Sequence, residues 1–242
     1  MARPNSTDLD LFDSGVLARL NGVDSGYGSA NVLVGLDFEA RAGEVALVTG
    51  PAAAGKTTLM HLLRLALTPR NGRAVILGWD VGRIGDNDRA RLKRRIGYVA
   101  ETPDFVEGLS AFENIALPLR LAGKRPREFA ADVRELVDFV GLGGAADLPI
   151  ERLSGAERRR AAIARALANK PNLILADDPT AGMSPGDGRR IVRLLAEPPG
   201  RMRGVRPGAS DTAVTTSVSA ELSTSLMKRG RGAVLAPRSM TW

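Results

Sequence analysis

The sequence predicts an α/β fold built on a mostly parallel sheet, and three observations support this prediction. Short apolar runs typical of buried strands alternate along the chain with segments whose apolar residues recur at helical spacing. Strands that alternate with helices are typical of a parallel sheet covered on both faces. No internal repeat is present, and 242 residues suffice for one large domain or two small ones.

Short apolar runs predict the strands of the N-terminal half. They lie at residues 16–20, 33–40, 44–50, 74–78 and 95–100. Between the third run and the fourth, residues 56–67 place apolar side chains at helical spacing and predict a helix. From about residue 105 to residue 145 the pattern is helical, and Gly141 or Gly143 is the expected stop signal.

The C-terminal half continues the alternation of strands and helices. The predicted elements are helices at 154–169, at 185–197 and near 219–229, a buried strand at 173–176, a strand near 212–218 and an edge strand near 233–237. The second of these helices is expected to end at Pro198 and Pro199, and residues 197–210 have the composition of a loop.

The composition excludes several kinds of site. The chain has no Cys, which rules out disulfides, thiolate metal sites and cysteine nucleophiles. His61 is the only histidine, so neither a multi-histidine metal site nor a Ser-His-Asp triad is easily built. No apolar run approaches the ~18–20 residues that cross a bilayer, and residues 1–15 lack the apolar stretch of a signal peptide. We therefore expect an intracellular protein whose role at a membrane would require a partner with spanning helices.

The net charge of +7 is carried by the C-terminal quarter of the chain. Residues 1–188 contain 24 basic and 24 acidic side chains, whereas residues 189–242 contain 10 basic and 3 acidic ones. The body has no basic stripe with interleaved aromatic residues, so we expect no nucleic acid partner. The basic C-terminal part is either a solvated tail or a segment that lies near anionic lipid headgroups.

A phosphate loop is predicted at residues 50–57, where GPAAAGKT fits G-x-x-x-x-G-K-[ST] between a predicted strand and a predicted helix. Backbone N–H groups of such a loop surround phosphate oxygens, and the helix N-terminus adds partial positive charge. Lys56 is expected to reach the β- and γ-phosphates of a nucleotide, and the Thr57 hydroxyl to bind Mg²⁺. The predicted nucleotide-binding residues are Gly50, Pro51, Ala52, Ala53, Ala54, Gly55, Lys56, Thr57 and Thr58.

Two adjacent carboxylates, Asp177 and Asp178, follow the apolar run at residues 173–176. We expect this run to form a strand beside the strand that precedes the phosphate loop, so that its carboxyl end brings Asp177 to the Mg²⁺. Asp178 is then expected to face the γ-phosphate and to orient or deprotonate a water molecule. Neighbouring acids are tolerated there because the cation keeps Asp177 ionised.

A signature segment, LSGAE at residues 153–157, begins a predicted helix with an S-x-x-E capping box. With the phosphate loop before it and LILADDPT at 173–180 after it, the sequence resembles the ABC-type ATPase family over roughly residues 16–195. The resemblance implies that Ser154, Gly155, Ala156 and Glu157 bind the ATP held by a second copy. Two copies would then sandwich ATP head to tail as a homodimer. The resemblance also implies that Tyr27 stacks on adenine.

The same resemblance implies a P-loop NTPase fold of the ABC type, formed as a single domain over residues 1–242 with ATP and Mg²⁺ as cofactors. Its sheet core would be accompanied by a small antiparallel β portion near the N-terminus and a helical subdomain at about 101–165. Residues 1–15 would form a flexible N-terminus, and residues 196–242 a basic C-terminal part.

Residues 104–123 and the following helices most resemble the FtsE cell-division ATPases, which work with the integral membrane protein FtsX. An FtsX-like partner, control of cell-wall hydrolysis during division and a location on the cytoplasmic face of the inner membrane are therefore implied. ATPases of lipoprotein release and of macrolide export are similar to this sequence as well, so a transporter of either type is an alternative.

Several positions depart from the family pattern. Glu101 stands where the family has Gln, Asp178 where it has the catalytic Glu, Ser184 where it has Asp, Ala156 where it has the second signature Gly, and Ser217 or Val218 where it has the switch His. Glu101 is still expected to serve as a catalytic residue and Mg²⁺ ligand, although an ionised carboxylate cannot donate a hydrogen bond. The shorter Asp178 carboxylate is expected to reach its water molecule poorly.

Two functional hypotheses follow from these departures. In the first, the protein is a slow ATPase that drives its membrane partner by closing and opening a dimer. In the second, it is a nucleotide-gated scaffold that closes on ATP with little hydrolysis. A DNA-repair ATPase of the related chromosome-binding class would require a long coiled-coil insertion, and the sequence has none.

Overall fold

The structure, a computed structural model, describes residues 15–181, 183–196, 213–217 and 232–235. These residues form a 4-stranded antiparallel sheet and a 5-stranded parallel sheet with helices around them. The predicted helix near 219–229 and loop at 197–210 lie outside the described residues, as do residues 1–14 of the predicted flexible N-terminus and most of the basic C-terminal part.

The strands are, in chain order, β1 (Val16–Tyr27), β2 (Ala30–Arg41), β3 (Val45–Val48), β4 (Asn71–Ile76), β5 (Trp79–Asp80), β6 (Ile96–Val99), β7 (Leu173–Asp177), β8 (Ala213–Ser217) and β9 (Gly232–Leu235). The helices are α1 (Lys56–Leu63), α2 (Asp86–Lys93), α3 (Ala111–Leu121), α4 (Pro126–Phe139), α5 (Gly155–Leu167) and α6 (Pro185–Ala196). Short 3-10 turns cover Gly143–Ala145 and Ile150–Arg152. Among the helices that the structure describes, none has the length and apolar character of a transmembrane span.

The antiparallel sheet has the order β2-β1-β4-β5. Strands β1 and β2 form a hairpin in which Tyr27 is paired with Ala30. The turn is tight: a Cβ atom at Gly26 would lie 2.2 Å from the carbonyl oxygen of Ala30. Only glycine fits at residue 26, so the hairpin tip has a defined shape that places Tyr27 at the end of β1.

The parallel sheet has the order β6-β7-β8-β3-β9, with every strand parallel to its neighbours. The prediction that β7 lies beside β3 is therefore wrong, because β8 pairs with both and separates them. A strand near the C-terminal end of the chain thus completes the centre of the sheet. The predicted edge strand near residues 233–237 is confirmed in β9, which lies beside β3 at one edge.

The helix ends follow local signals in most cases. Ser110 and Ser154 each form a capping box with the glutamate three residues later. Gly141, with φ of 72°, follows the C-cap residue Val140 of α4 and is one of the two predicted stop signals. α1 is shorter than predicted, because Leu65 adopts a left-handed φ of 64° while its buried side chain continues the apolar pattern.

Among the strands and α-helices that the structure describes, α2 and β5 were not predicted from the sequence. Helix α2 buries only Leu92 and is otherwise polar, so it lacks the apolar periodicity on which the prediction depends. Strand β5 is 2 residues long, shorter than any pattern of alternation can mark.

Strand β7 separates two hydrophobic cores. Leu173 and Leu175 pack into the core formed with α1 and the antiparallel sheet, whereas Ile174 and Ala176 pack against α3, α4 and α5. All five residues of β7 are buried, as expected for a parallel strand covered on both faces. Because both faces are filled, the position of Asp177 at its carboxyl end is firmly determined.

Candidate functional site

The phosphate loop joins the carboxyl end of β3 to α1 through a tight turn. Gly55 and Ala53 adopt left-handed φ values of 80° and 62°. A Cβ atom at Gly50 would approach the Cβ of Ala54 to 3.3 Å. The left-handed region costs glycine little but strains alanine by roughly 1–2 kcal/mol. Strain of this kind at Ala53 is typical of loops whose shape serves a site.

Positive charge is concentrated where α1 begins. Among the described residues no side chain caps the N-terminus of α1, so its first amides retain hydrogen-bonding capacity for an anion. The Lys56 ammonium group donates to the carbonyl oxygens of Gly50 at 2.9 Å and Pro51 at 2.8 Å, and so lies over the loop. Thr57 is exposed beside it, whereas Thr58 is buried.

The groups at the start of α1 fit the phosphates of a nucleoside triphosphate. An uncapped helix N-terminus, a left-handed glycine and an ammonium group folded onto the loop supply the donors that phosphate oxygens require. Thr57 and Asp177 supply oxygen ligands of the kind that Mg²⁺ prefers when it also binds phosphate. The nucleotide contacts assigned to residues 50–58 from the sequence remain predictions.

The acid pair lies at the carboxyl end of β7. Asp177 is its last residue and is 4% exposed, and Asp178 follows with a left-handed φ of 37°. Burial raises the pKa of the Asp178 carboxyl above its usual 3.8, and repulsion from Asp177 raises it further. Arg159 and Lys56 partly oppose this rise, which means that both cations lie within electrostatic reach of Asp178.

The sheet brings Asp177 and the phosphate loop to the same edge although their strands are not neighbours. In the register of the three strands, Ser217 of β8 is paired with Asp177 on one side and Val48 on the other. The carboxyl ends of parallel strands meet at one edge, so the intervening β8 preserves the predicted proximity. Ser217, one of the two candidates for the position of the switch His, lies between the acid pair and the phosphate loop.

Arg159 links this edge to the signature helix and was not predicted from the sequence. Its guanidinium group donates to the carbonyl oxygens of Ala100 at 3.2 Å, Glu101 and Ala181 at 3.5 Å. Glu101 lies exposed two residues after β6, and its carboxylate interacts with Arg159. The only signal in the sequence is a run of three arginines. Such a run does not show whether an arginine bonds to the main chain of other segments or lies on a solvent-exposed face of its helix.

Among the described residues, the polar groups of the signature segment form their side-chain hydrogen bonds with one another. The Ser154 hydroxyl accepts from the Glu157 N–H at 3.3 Å, while the Glu157 carboxylate accepts from the Ser154 N–H at 2.9 Å. The Ser154 hydroxyl also donates to the Glu157 carboxylate at 2.7 Å, and this bond, together with the one from the Ser154 N–H, holds the pKa of Glu157 below its usual 4.5. Gly155 and Ala156 lie in the first turn of α5, and Ala156 avoids the left-handed region. Alanine in place of glycine therefore causes no backbone strain here.

Two further predicted positions have clear structural contacts. The Ser184 hydroxyl accepts from the N–H of Asp187 at 3.2 Å at the start of α6, so it serves as a helix cap. Tyr27 is 47% exposed at the end of β1, and its hydroxyl lies 2.7 Å from Nδ1 of His61. This contact between Tyr27 and His61 was not predicted from the sequence.

Comparison with known proteins identifies a common family. The family model described as ABC transporter (ABC_tran) matches residues 33–181. An uncharacterized ABC transporter ATP-binding protein of Thermotoga maritima is 38% identical over 173 residues, which cover 71% of this chain and 74% of that protein. The lipoprotein-releasing system ATP-binding protein LolD 2 of Caulobacter vibrioides is 37% identical, with 69% of this chain and 74% of LolD 2 covered.

A longer relative is similar over part of its length. The methionine import ATP-binding protein MetN 1 of Rhodococcus jostii is 38% identical over 71% of this chain, which corresponds to 51% of MetN 1. The match therefore covers about half of that protein.

Solved structures have the same fold. A dimeric post-hydrolysis state of the ATP-binding cassette MJ0796, bound to ADP and Pi, has a TM-score of 0.71 and is 26% identical, with 83% of this chain and 87% of that chain covered. The cbiO1 structure from Clostridium perfringens has a TM-score of 0.70 at 22% identity, over 84% of this chain and 79% of that chain. Because the family model spans more than half of the chain, the chain belongs to the ABC transporter family, as an ATP-binding cassette of the type that binds ATP with Mg²⁺ and hydrolyses it.

Proposed function

We propose that the chain is the ATP-binding subunit of a membrane complex in which two copies enclose two ATP molecules head to tail. The observation that carries this proposal is that, in the part of the chain that the structure describes, α1 begins without a side-chain cap, while Ser154 and Glu157 bond only with their own capping box and helix. Within the described residues no hydrogen bond or ion pair joins the signature segment to the phosphate loop. The phosphate loop and the signature segment of one chain would therefore bind two different nucleotides.

Each residue of the site has a defined task in this proposal. The Lys56 ammonium group and the phosphate-loop amides bind the phosphates, while Thr57, Asp177 and Glu101 hold Mg²⁺. Bound Mg²⁺ supplies neutralisation of charge on the phosphate oxygens. Asp178 orients the water molecule that attacks the γ-phosphorus and accepts its proton on a carboxylate oxygen, while the bond to the β,γ-bridging oxygen breaks and ADP leaves. Because burial raises the pKa of Asp178, the group is a stronger base than an ordinary aspartate.

We further propose that turnover is slow. The Asp178 carboxylate is one methylene shorter than the glutamate of the family, and a poorly placed base forfeits roughly 10²–10⁴ in rate. Glu101 cannot donate a hydrogen bond while it is ionised. These two substitutions also favour the second hypothesis, a nucleotide-gated scaffold with little hydrolysis.

Steady-state ATPase assays of the native chain and of Lys56→Ala, with and without the membrane partner, test the proposal. The Lys56→Ala variant should lose phosphate binding and with it the measurable rate. Equal rates for the two proteins would show that the chain does not hydrolyse ATP at this site. If the native chain binds ATP without measurable turnover and Lys56→Ala loses that binding, the result would support the nucleotide-gated scaffold.

We propose an FtsX-like integral membrane protein as the partner, and division-linked control of cell-wall hydrolysis at the cytoplasmic face of the inner membrane as the process. The support is the likeness of residues 104–123 to the FtsE ATPases. These residues include all of α3, whose Leu121 is 76% exposed. A partner that docks on the helical subdomain would find an apolar side chain there.

The LolD relatives favour a second candidate, the ATPase of a lipoprotein-releasing system. LolD 2 of Caulobacter vibrioides matches this chain at 37% identity, and LolD of Bacteroides fragilis at 35%. Co-purification of the native chain from its own membranes, followed by identification of the membrane protein bound to it, distinguishes the candidates. An FtsX-like protein supports the first candidate, and a lipoprotein-release permease supports the second.

A further inference from the structure

The side chain of Tyr27 is anchored by His61. The Tyr27 hydroxyl and His61 Nδ1 lie 2.7 Å apart, and the ring centroids lie 6.2 Å apart with planes at 82°. Tyr27 ends β1 and remains 47% exposed, whereas His61 lies on α1 and is partly buried. The hydrogen bond therefore joins an exposed aromatic ring to the helix that carries Lys56.

The main chain around Tyr27 is held independently of His61. Arg70 donates to the carbonyl oxygen of Gly28 and to Oδ1 of Asn31 at 2.7 Å, across the hairpin turn. The hairpin tip is thereby tied to the segment that enters β4. The freedom that remains to Tyr27 is rotation about its side-chain torsions, and His61 supplies the hydrogen bond of that side chain within the described residues.

His61 is itself held in place. Its ring makes a T-shaped contact with Tyr98 of β6, with centroids 6.4 Å apart, and the guanidinium of Arg64 lies 4.4 Å from the Tyr98 centroid. Burial lowers the pKa of His61, and so does the positive charge of Arg64, while Asp177 partly opposes them. A neutral ring offers one nitrogen as donor and the other as acceptor, so it can pair with a hydroxyl group in either direction.

We propose that His61 is a positioning residue for base binding, which holds the Tyr27 ring in the orientation that stacks on the nucleobase. This inference rests on the proposed function, because it takes Tyr27 as the stacking aromatic. A half-exposed tyrosine without an anchor populates several staggered rotamers. Fixing one of them before the nucleotide arrives reduces the ordering cost of binding. Base binding is thereby coupled to the helix that follows the phosphate loop.

The test compares ATP with inorganic triphosphate, which has the phosphates but no base. Calorimetric titrations use the full chain with Mg²⁺. We expect His61→Ala to raise the Kd for ATP about three- to tenfold, the range of one net hydrogen bond, and to leave the Kd for triphosphate unchanged. Tyr27→Phe keeps the ring and removes the hydroxyl, so it should have the same effect. The double variant should be no weaker than either single variant, because both remove one interaction.

Two further variants separate positioning from a general structural role. His61→Asn places a polar atom near the position of Nδ1, and we expect it to restore part of the affinity for ATP. Lys56→Ala on the same helix should weaken the binding of both ATP and triphosphate. Tyr27→Phe removes a hydroxyl from a half-exposed side chain. We therefore expect this variant to keep the native hydrophobic core, so that its effect on ATP affinity reports on the lost hydrogen bond.

Three outcomes would overturn the inference. Equal loss of affinity for ATP and triphosphate in His61→Ala would make His61 a structural residue of α1. Unchanged ATP affinity in both His61→Ala and Tyr27→Phe would show that the hydrogen bond between Tyr27 and His61 plays no part in base binding. Failure of the native chain to bind either ligand would contradict the proposed function itself, and this failure is recognisable because it precedes any comparison of variants.

Discussion

Arg159 donates a hydrogen bond to the main-chain carbonyl of Ala100 at 3.2 Å, and this bond ties the signature helix α5 to the segment that follows β6. The same guanidinium also reaches the carbonyl of Ala181, beyond the acid pair. One cation therefore holds together the three segments that carry the signature, Glu101 and Asp178. It couples helix α5 to the edge of the parallel sheet.

Removal of this tether should destabilise the protein. Arg159→Met keeps much of the apolar stem but loses the guanidinium, so three carbonyl groups lose their donor. We expect the free energy of unfolding to fall by about 1–2 kcal/mol, measured by urea denaturation followed by circular dichroism. Arg158→Met, at the exposed neighbouring position, should change it by less than about 0.5 kcal/mol. Similar losses in the two variants would deny Arg159 a special role.

Neutralisation of Asp178 should stabilise the fold at neutral pH. Its folded pKa is raised by burial and by Asp177, so the folded protein binds the proton more tightly than the unfolded chain does. The contribution of this group to stability therefore declines as pH rises from 3.8 through the folded pKa. Asp178→Asn removes that penalty, and the gain should be present near pH 7 and absent at about pH 3.5. Urea unfolding with EDTA and without nucleotide measures this gain in the free energy of unfolding. A gain of the same size at both pH values would show that the raised pKa of Asp178 is not its cause.

Lengthening the same side chain should raise the ATPase rate. Asp178→Glu adds one methylene and brings the carboxylate nearer to the water molecule that it is proposed to activate. We expect up to about tenfold faster steady-state turnover, with ATP affinity unchanged. Asp178→Asn serves as the control and should be slower than the native chain. If Asp178→Glu leaves the rate unchanged, the substitution at the switch-His position is the dominant limit instead.

The two capping serines separate stability from function. Ser110→Ala and Ser154→Ala each remove an N-cap from a capping box, so each should lower the free energy of unfolding by about 1 kcal/mol. Only Ser154→Ala is expected to lower ATPase activity and ATP-dependent dimerisation, measured by light scattering. A matched loss of activity in Ser110→Ala would mean that Ser154 acts only as a cap.

Strands β8 and β9 should be essential for folding. Deletion of residues 212–242 removes β8 from between β7 and β3, which leaves buried ladder groups on both strands without partners. We expect loss of the cooperative unfolding transition, measured by circular dichroism and limited proteolysis. Deletion of residues 236–242 alone retains both strands and serves as the control. A cooperative, native-like transition in the larger deletion would contradict the role of β8.

Local signals in the sequence were sufficient for much of the site. The spacing of Gly50, Gly55 and Lys56 between a strand and a helix predicted the turn and the helix start that the structure has. The capping box of Ser154 and the stop signal at Gly141 depend on groups within a few residues, so both could be predicted. The apolar run ending at Asp177 indicated a strand buried on both faces, which β7 is.

Tertiary structure decided the remainder, because it depends on partners distant in the chain. The position of β8 between β7 and β3 follows from its pairing with β3, more than a hundred residues earlier in the chain, and with β7, 40 residues earlier, which no local pattern encodes. Tyr27 and His61 are 34 residues apart in sequence, and their hydrogen bond exists only because the hairpin packs on α1. By itself, then, the sequence determined the chemistry at the end of each element. Long-range packing decided which of these ends lie side by side.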